Sequence, residues 1–299
     1  EAKFSNKMPL IIIADNGSAP EDLLAIQQGK VHGIDFIVVD HHFFDKDVIS
    51  KEVLVHINPF LVGEDGAKFS AGMLCVELAR FIHNVEKMEH IAAMAGIADR
   101  IDNPPVVDEY IRLSSKTGYN KNMLAEIALV IDFASAKLRF MEAREYIEVL
   151  FGEPMHKQKA LVALLAPYIF TMEKKGLEIG LTNVQAEKVG SVLVQSLEIE
   201  KAFSRGFYPK AGKCNGLVHD YAAQKNDKVV SLGILEDAIT IRATDGANFS
   251  VHDFIHYAQK NIPQAFVEGG GHKNAGAIKF VPARRDLVLD SLKKFIKQR

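Results

Sequence analysis

Asp15, Asp40, His41, His42 and Asp99 have the side-chain types of a divalent-cation site. The apolar run LIIIAD delivers Asp15, and FIVVDHH delivers Asp40, His41 and His42. Carboxylates and imidazoles are costly to bury without partners, so two buried-looking segments that end this way point to a shared use. Carboxylate oxygens with imidazole nitrogen suit Mn²⁺, Fe²⁺ or Zn²⁺, and an excess of oxygen donors leans towards Mn²⁺. Asp99, in GIADRID, follows a helical pattern, with Asp102 a competitor three residues on. A single aspartate at a strand end also serves as a turn former or helix cap. Adjacent histidines after an apolar strand have no such routine use.

A second group lies towards the C-terminus. In VEGGGHKNAGAI, Gly269, Gly270 and Gly271 let the backbone approach a ligand and present N–H groups to an anion. His272 follows and can donate to a phosphate. The bland alternative is a hairpin-like turn. Arg242, inside the alternating segment AITIRAT, faces either solvent or a bound anion. His32, His83, His90 and His252 fall on presumed helices or loops, while His56, in VLVHINP, is open to either reading. Ser18 and Ser70 read as helix caps. There is no Gly-x-Ser-x-Gly, no phosphate-binding loop ending in Gly-Lys-Ser/Thr and no dinucleotide fingerprint.

The first group needs strands whose tips converge. LIIIAD, IDFIVVD and VLVHINP alternate with helical segments, which predicts βαβ units and a parallel sheet buried on both faces. In SAPEDLLAIQQGK, Ser18 is expected to cap a helix, with Glu21 completing a capping box and Pro20 in the first turn. Strand C-termini of such a sheet share one edge, where ligands bind, so Asp15 and Asp40–His42 would share one cleft. Ser70 starts a further helix. From about 105 to 204 the spacing is helical, and VQAEKVGSVLVQSLEIEKAFSR reads as one long connecting helix. Beyond it, GLVHDYAA, KVVSLGIL and DAITIRAT read as successive strands. A helix over about 251–261, the EGGGHKNAG loop, the strand AIKFV and a last helix complete a small α/β domain.

The bulk properties set outer bounds. A chain of 299 residues is long enough for two domains and, at this size, buries roughly 75% of its unfolded surface without a disulfide or metal staple. The formal charge of −2 gives no global basic field for nucleic acid, although a local basic groove remains allowed. The two cysteines, Cys75 and Cys214, are far apart, which suits a reducing compartment and supplies no thiolate metal cluster. With no leader and no membrane-spanning run, the expectation is a soluble cytoplasmic protein.

IIIADNGS, VVDHH, GIADRID and GGGHKNAG resemble, in order, the second, third and fourth motifs of the DHH phosphoesterase superfamily and the signature of its associated C-terminal domain. INP after the third strand and SAG at 70–72 are similar to this family as well. PKAGKCNGLVHDY and SLGILEDAITIRAT look most like archaeal RecJ-type proteins. The resemblance implies an α/β fold with a parallel-sheet DHH domain over 1–135, a helical region and linker helix over 136–204, and a smaller DHH-associated substrate-binding domain over 205–299. It also implies a phosphodiesterase that uses two Mn²⁺ ions, with Mg²⁺ a possible substitute. Asp15 would bridge both ions, His41 would bind one and Asp99 would be a shared ligand. His42 would face the scissile phosphate and Asp40 would orient the pair. Arg242 and Gly269–His272 would hold the substrate backbone.

One family element is missing. The first motif, Asp-x-Asp on an earlier strand, has no counterpart in EAKFSNKMPL, and a first residue other than Met points to a segment upstream. The reading that follows is a RecJ-like exonuclease hydrolysing single-stranded DNA or RNA, in DNA repair or replication. Its rivals are a phosphodiesterase for short oligonucleotides or cyclic dinucleotides, and a catalytically degenerate scaffold of the replication helicase bound to GINS-type partners.

Overall fold

The computed structural model describes residues 8–83, 87–101, 104–138, 140–152 and 154–299. Asp102 and the first seven residues lie outside them. Contacts divide the chain into two units, Glu1–Ile131 with Tyr146–Val162, and Asp132–Glu145 with Ala163–Arg299.

The first unit is built on a three-stranded parallel sheet of β1 (Leu10–Ala14), β2 (Asp35–Val39) and β3 (Val55–Ile57), in that order. The register pairs Ala14 with Val39 and Val39 with Ile57, so all three strands end level. β2 is the central strand, and its Phe36 and Val38 pack with Ile49 and with Ile26 of α1 (Leu23–Val31). β1 corrects one expectation. Among the described residues it pairs with β2 alone, and Leu10, Ile11 and Ile12 are 41–58% exposed rather than buried on both faces. Ser18 is another correction. The first turn, Pro20–Asp22, is capped at Ala19, whose N–H donates to Asp22, and the Ser18 hydroxyl is engaged elsewhere. Ser70 does cap α2 (Ala71–His83), accepting from the Met73 N–H. α2, α3 (Glu89–Ala98) and α4 (Pro104–Ser115) bury Met73, Val76, Ala92 and Val107 against one another. Three more helices follow, α5 (Lys121–Lys137), α6 (Phe140–Gly152) and α7 (Met155–Asn183).

The second unit holds a six-stranded mixed sheet of order β4-β5-β6-β7-β9-β8. β4 (Gln185–Val189) and β5 (Val192–Glu198) stand where one long helix is expected, and only the short α8 (Ile199–Ala202) follows. The physical signal is Gly190–Ser191, a two-residue connection flanked by Val189 and by the valines of β5, with Gly190 at a φ of 62°. The long helix is instead α7, immediately before. GLVHDYAA is not a strand but the end of α9 (Ala211–Ala223). Its buried residues Cys214, Asn215, Val218, His219 and Ala222 recur at helical spacing once the segment is read from 211. β6 (Val229–Ile234) is buried at every position, as a central strand covered on both faces must be. β7 (Ala238–Ala243) alternates, with Arg242 on its half-exposed side. α10 (Val251–Asn261) and α11 (Arg285–Lys297) cover the sheet through Phe254, Leu292 and Phe295. The glycine run is strand rather than loop. β8 (Glu268–His272) and β9 (Ala275–Lys279) form an antiparallel hairpin at the sheet edge. Among the described residues, no helix is long and apolar enough to cross a membrane.

Candidate metal and phosphate site

Level strand ends bring the first group together. The Asp15 N–H donates to the Val39 carbonyl and the Asp40 N–H to the Ile57 carbonyl, each at 2.9 Å, so the two aspartates leave the same sheet edge side by side. Asp15 turns there with a φ of 63°, a left-handed conformation that aspartate tolerates better than most residues. Asp99 arrives from another direction, as the C-cap of α3, its N–H bonded to the Ala95 carbonyl.

His41 sits between these carboxylates. Its side chain is 1% exposed, and Nε2 lies 3.2 Å from Asp15 Oδ1 and 3.2 Å from Asp99 Oδ2. Its Nδ1 is 3.2 Å from the Gly66 carbonyl, so Nδ1–H donates there and Nε2 is turned to the acids. Burial alone would lower the imidazole pKa, but the hydrogen bond to Asp15 and the charge of Asp99 outweigh it and raise it to about 9. A proton thus stands between two carboxylates, and a donor set of one imidazole nitrogen and two carboxylates suits a divalent cation. Asp15 also belongs to a second group, since the donor atoms of Asp15, Asp40 and His42 lie within 4.8 Å of one another.

Asp40 is surrounded by donors. Oδ1 accepts from the His41 N–H (2.8 Å), the His42 N–H (3.2 Å) and His42 Nδ1 (2.8 Å), and Oδ2 accepts from the Ser18 N–H (3.2 Å). Burial works against the ionised form, yet the hydrogen bonds from His42 and Ser18 hold this carboxyl well below the usual carboxylate range. His42 therefore has Nδ1 fixed as a donor and presents Nε2.

Three residues that support this arrangement escape a reading by residue type alone. Asn58, just beyond β3 and 4% exposed, donates from Nδ2 to both Ser18 Oγ and the His42 carbonyl, each at 3.0 Å. His56 is structural: its ring nitrogens meet Ser18 Oγ at 3.0 Å and Ser50 Oγ at 2.8 Å. Gly66 passes so close that a Cβ there would collide with the His41 carbonyl oxygen and the Phe60 ring. The detectable signal was INP at the strand end; nothing local marks Gly66.

The second unit assembles the other group. Arg242 and His272 are both register partners of Ala275, one on either side of β9, so all three project from the same sheet face. Gly269, Gly270 and Gly271 lie along β8, the edge strand, where alternate N–H groups point away from the sheet.

No family model matches the chain. It is 32% identical to an uncharacterised protein of Methanocaldococcus jannaschii over 99% of its own length, and spans 42% of that protein. It superposes with a TM-score of 0.89 on the solved DHH domain of a member of the S1p family of ribosomal proteins, at 31% identity over 99% of this chain and 71% of that one. The chain belongs to the DHH family. A RecJ from Thermus thermophilus, solved with Mn²⁺, shares the DHH fold at a TM-score of 0.65 and 20% identity, covering 97% of this chain and 45% of that one.

One consequence for this DHH site follows from His41. A cation can bind only after the Nε2 proton leaves, and that proton is held to about pH 9. With Mn²⁺ as the probe, affinity should rise roughly tenfold per pH unit between about pH 6 and 8. Calorimetric titration across that range reads it. A flat profile would show that His41 is already neutral and not in competition.

Proposed function

We propose that this chain is the hydrolytic part of a RecJ-like phosphodiesterase that cleaves single-stranded DNA or RNA with Mn²⁺, Mg²⁺ being a substitute. The observation that carries this reading is His41 Nε2, 3.2 Å from both Asp15 and Asp99 at the C-terminal edge of a parallel sheet. The RecJ structures of the same fold that hold Mn²⁺ or Mg²⁺ support the choice of ion.

Asp15, His41 and Asp99 would hold one cation, with Asp15 shared towards a second beside His42. Cations there would supply the positive charge that acidifies a water nucleophile and offsets charge on the phosphate. His42, fixed by Asp40, keeps Nε2 directed at the reacting phosphate, and Asp40 stays ionised while doing so. Arg242 and His272 donate to non-bridging oxygens of the strand, Arg242 through its planar fork. Recognition through the backbone makes the sequence of bases secondary, and the near-neutral net charge offers little long-range pull on a duplex.

The test is a labelled oligonucleotide incubated with the full-length protein in Mn²⁺. Progressive shortening of the single strand is expected, with a blunt duplex of the same sequence left largely intact. Equal cutting of both, or cleavage confined to dinucleotides and cyclic dinucleotides, would displace the exonuclease reading. No cleavage at all would favour a scaffold. Arg242→Ala and His272→Ala should each weaken strand binding by about 1.5–3 kcal/mol, the range for hydrogen bonds to charged groups, while Mn²⁺ affinity holds. Loss of Mn²⁺ from either variant would mean that these residues serve the metal instead.

A further inference from the structure

Phe266, two residues before β8, is 74% exposed and has a φ of 49°. The left-handed region is uncommon for residues other than glycine and a marked outlier for a bulky one. Phe266 ends the turn Pro263–Ala265, where glycine or asparagine is the ordinary choice. Single exposed apolar side chains are common and need no function. Phe266 differs because its backbone is strained and its ring gains little burial in return. The strain is imposed from both sides. Ala265 is fully buried, and its carbonyl accepts from the Val281 N–H at 3.0 Å. Val267 is 3% exposed within the core of this unit, and its carbonyl accepts from Gln259 Nε2 at 3.3 Å. The Phe266 N–H donates to the Pro263 carbonyl at 3.1 Å. The backbone that carries the ring is thus fixed before any ligand arrives, and strain held in this way clusters at ligand-binding positions.

The hairpin beside it narrows what the ring meets. By register, Glu268, Gly270 and His272 of β8 share one sheet face with Ala275, Ala277 and Lys279 of β9. Small side chains keep that face low between its ends, and a Cβ at Gly270 would meet nothing within 4 Å. The His272 end also carries Arg242 and suits an anion. At the other end Glu268 is the register partner of Lys279, so their charges offset one another and the aromatic ring is the distinguishing group. Stacking on such a ring tolerates every base, which suits backbone recognition without sequence readout. Phe266 lies six residues before His272, about 20 Å along an extended strand. At 3.4 Å per stacked nucleotide, roughly six nucleotides cover that distance, and fewer when extended, while a dinucleotide falls short. We propose that Phe266 is a stacking platform for a base several nucleotides from the phosphate held at Arg242 and His272, so that this unit selects oligonucleotides over dinucleotides. The inference rests on the phosphodiesterase reading and names the substrate length which that reading leaves open.

The experiment compares full-length wild type with Phe266→Tyr, Phe266→Leu and Phe266→Gly, with Ca²⁺ in place of Mn²⁺ so that binding is read without turnover. The probe is a single strand with 2-aminopurine placed at each position in turn. Wild type and Phe266→Tyr should quench it at one position several nucleotides from the held phosphate. Phe266→Leu and Phe266→Gly should not, and should bind the strand about 5- to 150-fold more weakly, the equivalent of one stacked base. A dinucleotide should bind every variant as it binds wild type. In urea, Phe266→Gly should unfold no earlier than wild type, because relief of left-handed strain offsets the greater freedom of glycine in the unfolded chain. A less stable Phe266→Gly would show that the ring serves the fold and would overturn the platform. Equal strand affinity of wild type and Phe266→Leu, surviving quenching in Phe266→Leu, or an equal loss with the dinucleotide would overturn it as well. Self-association of wild type that disappears in Phe266→Leu would reassign the ring to a contact between copies of this chain. Wild type that takes up Mn²⁺ but binds no oligonucleotide would remove the nucleic-acid reading and the platform together.

Discussion

Titration of His41→Ala with Mn²⁺ should show affinity reduced by more than the roughly 10–100-fold that follows loss of an outer-shell partner. His41 supplies the nitrogen that faces both Asp15 and Asp99. Without it, two carboxylates from different elements are left to hold an ion that prefers more donors. They also lose the imidazolium that balances them in the metal-free protein, where His41 stays protonated to about pH 9. The effect should be on binding rather than on the fold, because the strand ends are fixed by backbone pairing that does not involve the imidazole. Circular dichroism should therefore change little. Unchanged Mn²⁺ affinity would show that His41 is not a ligand.

Asp40→Asn should be the most damaging change to stability in the first unit, at about 3 kcal/mol or more, since it removes a charge that accepts several buried hydrogen bonds. An asparagine can keep one oxygen on the His41 and His42 donors, but its amide nitrogen then confronts the Ser18 N–H. The pH dependence gives a second readout. The folded carboxyl is held below its ordinary range, so its stabilisation is present above about pH 4 and is lost as pH falls below it. Asparagine does not titrate. The gap between wild type and Asp40→Asn in urea unfolding should narrow as pH is lowered from about 5 to 3. A constant gap would mean that Asp40 draws its stability from packing rather than from its charge.

The edge that gathers Asp15 and Asp40–His42 was legible because its logic is local. Asp15 and Asp40–His42 end apolar runs, and parallel pairing of those runs leaves their ends on one edge whatever else the chain does. Asp99 was harder, since its helix comes from elsewhere and only the resemblance singled it out. Ser18 looked like a cap because serine before a proline-led turn usually is one, and only the folded register shows His56, Asn58 and Asp40 meeting it. The misread segments had mixed periods. EKVGSVLV was read as one helix with the charged segment EIEKAFSR that follows, yet Gly190 and the β-branched residues beyond it decide for a hairpin. GLVHDYAA hid its helical period because Cys214 and Asn215 lie just before it. Three glycines in a row suggested a loop, while pairing with β9 makes them a strand.

That glycine strand limits how the protein can diversify. Gly269 and Gly271 have φ values of 149° and 127°, and a Cβ at either would strike the backbone of β9; one at Gly276 would strike that of β8. Those three positions of the hairpin are therefore closed to side chains, whereas a Cβ at Gly270 would meet open space. A library randomised at 269, 271 and 276 would return mostly misfolded clones, so variation along this edge is left to Gly270 and to positions around the hairpin.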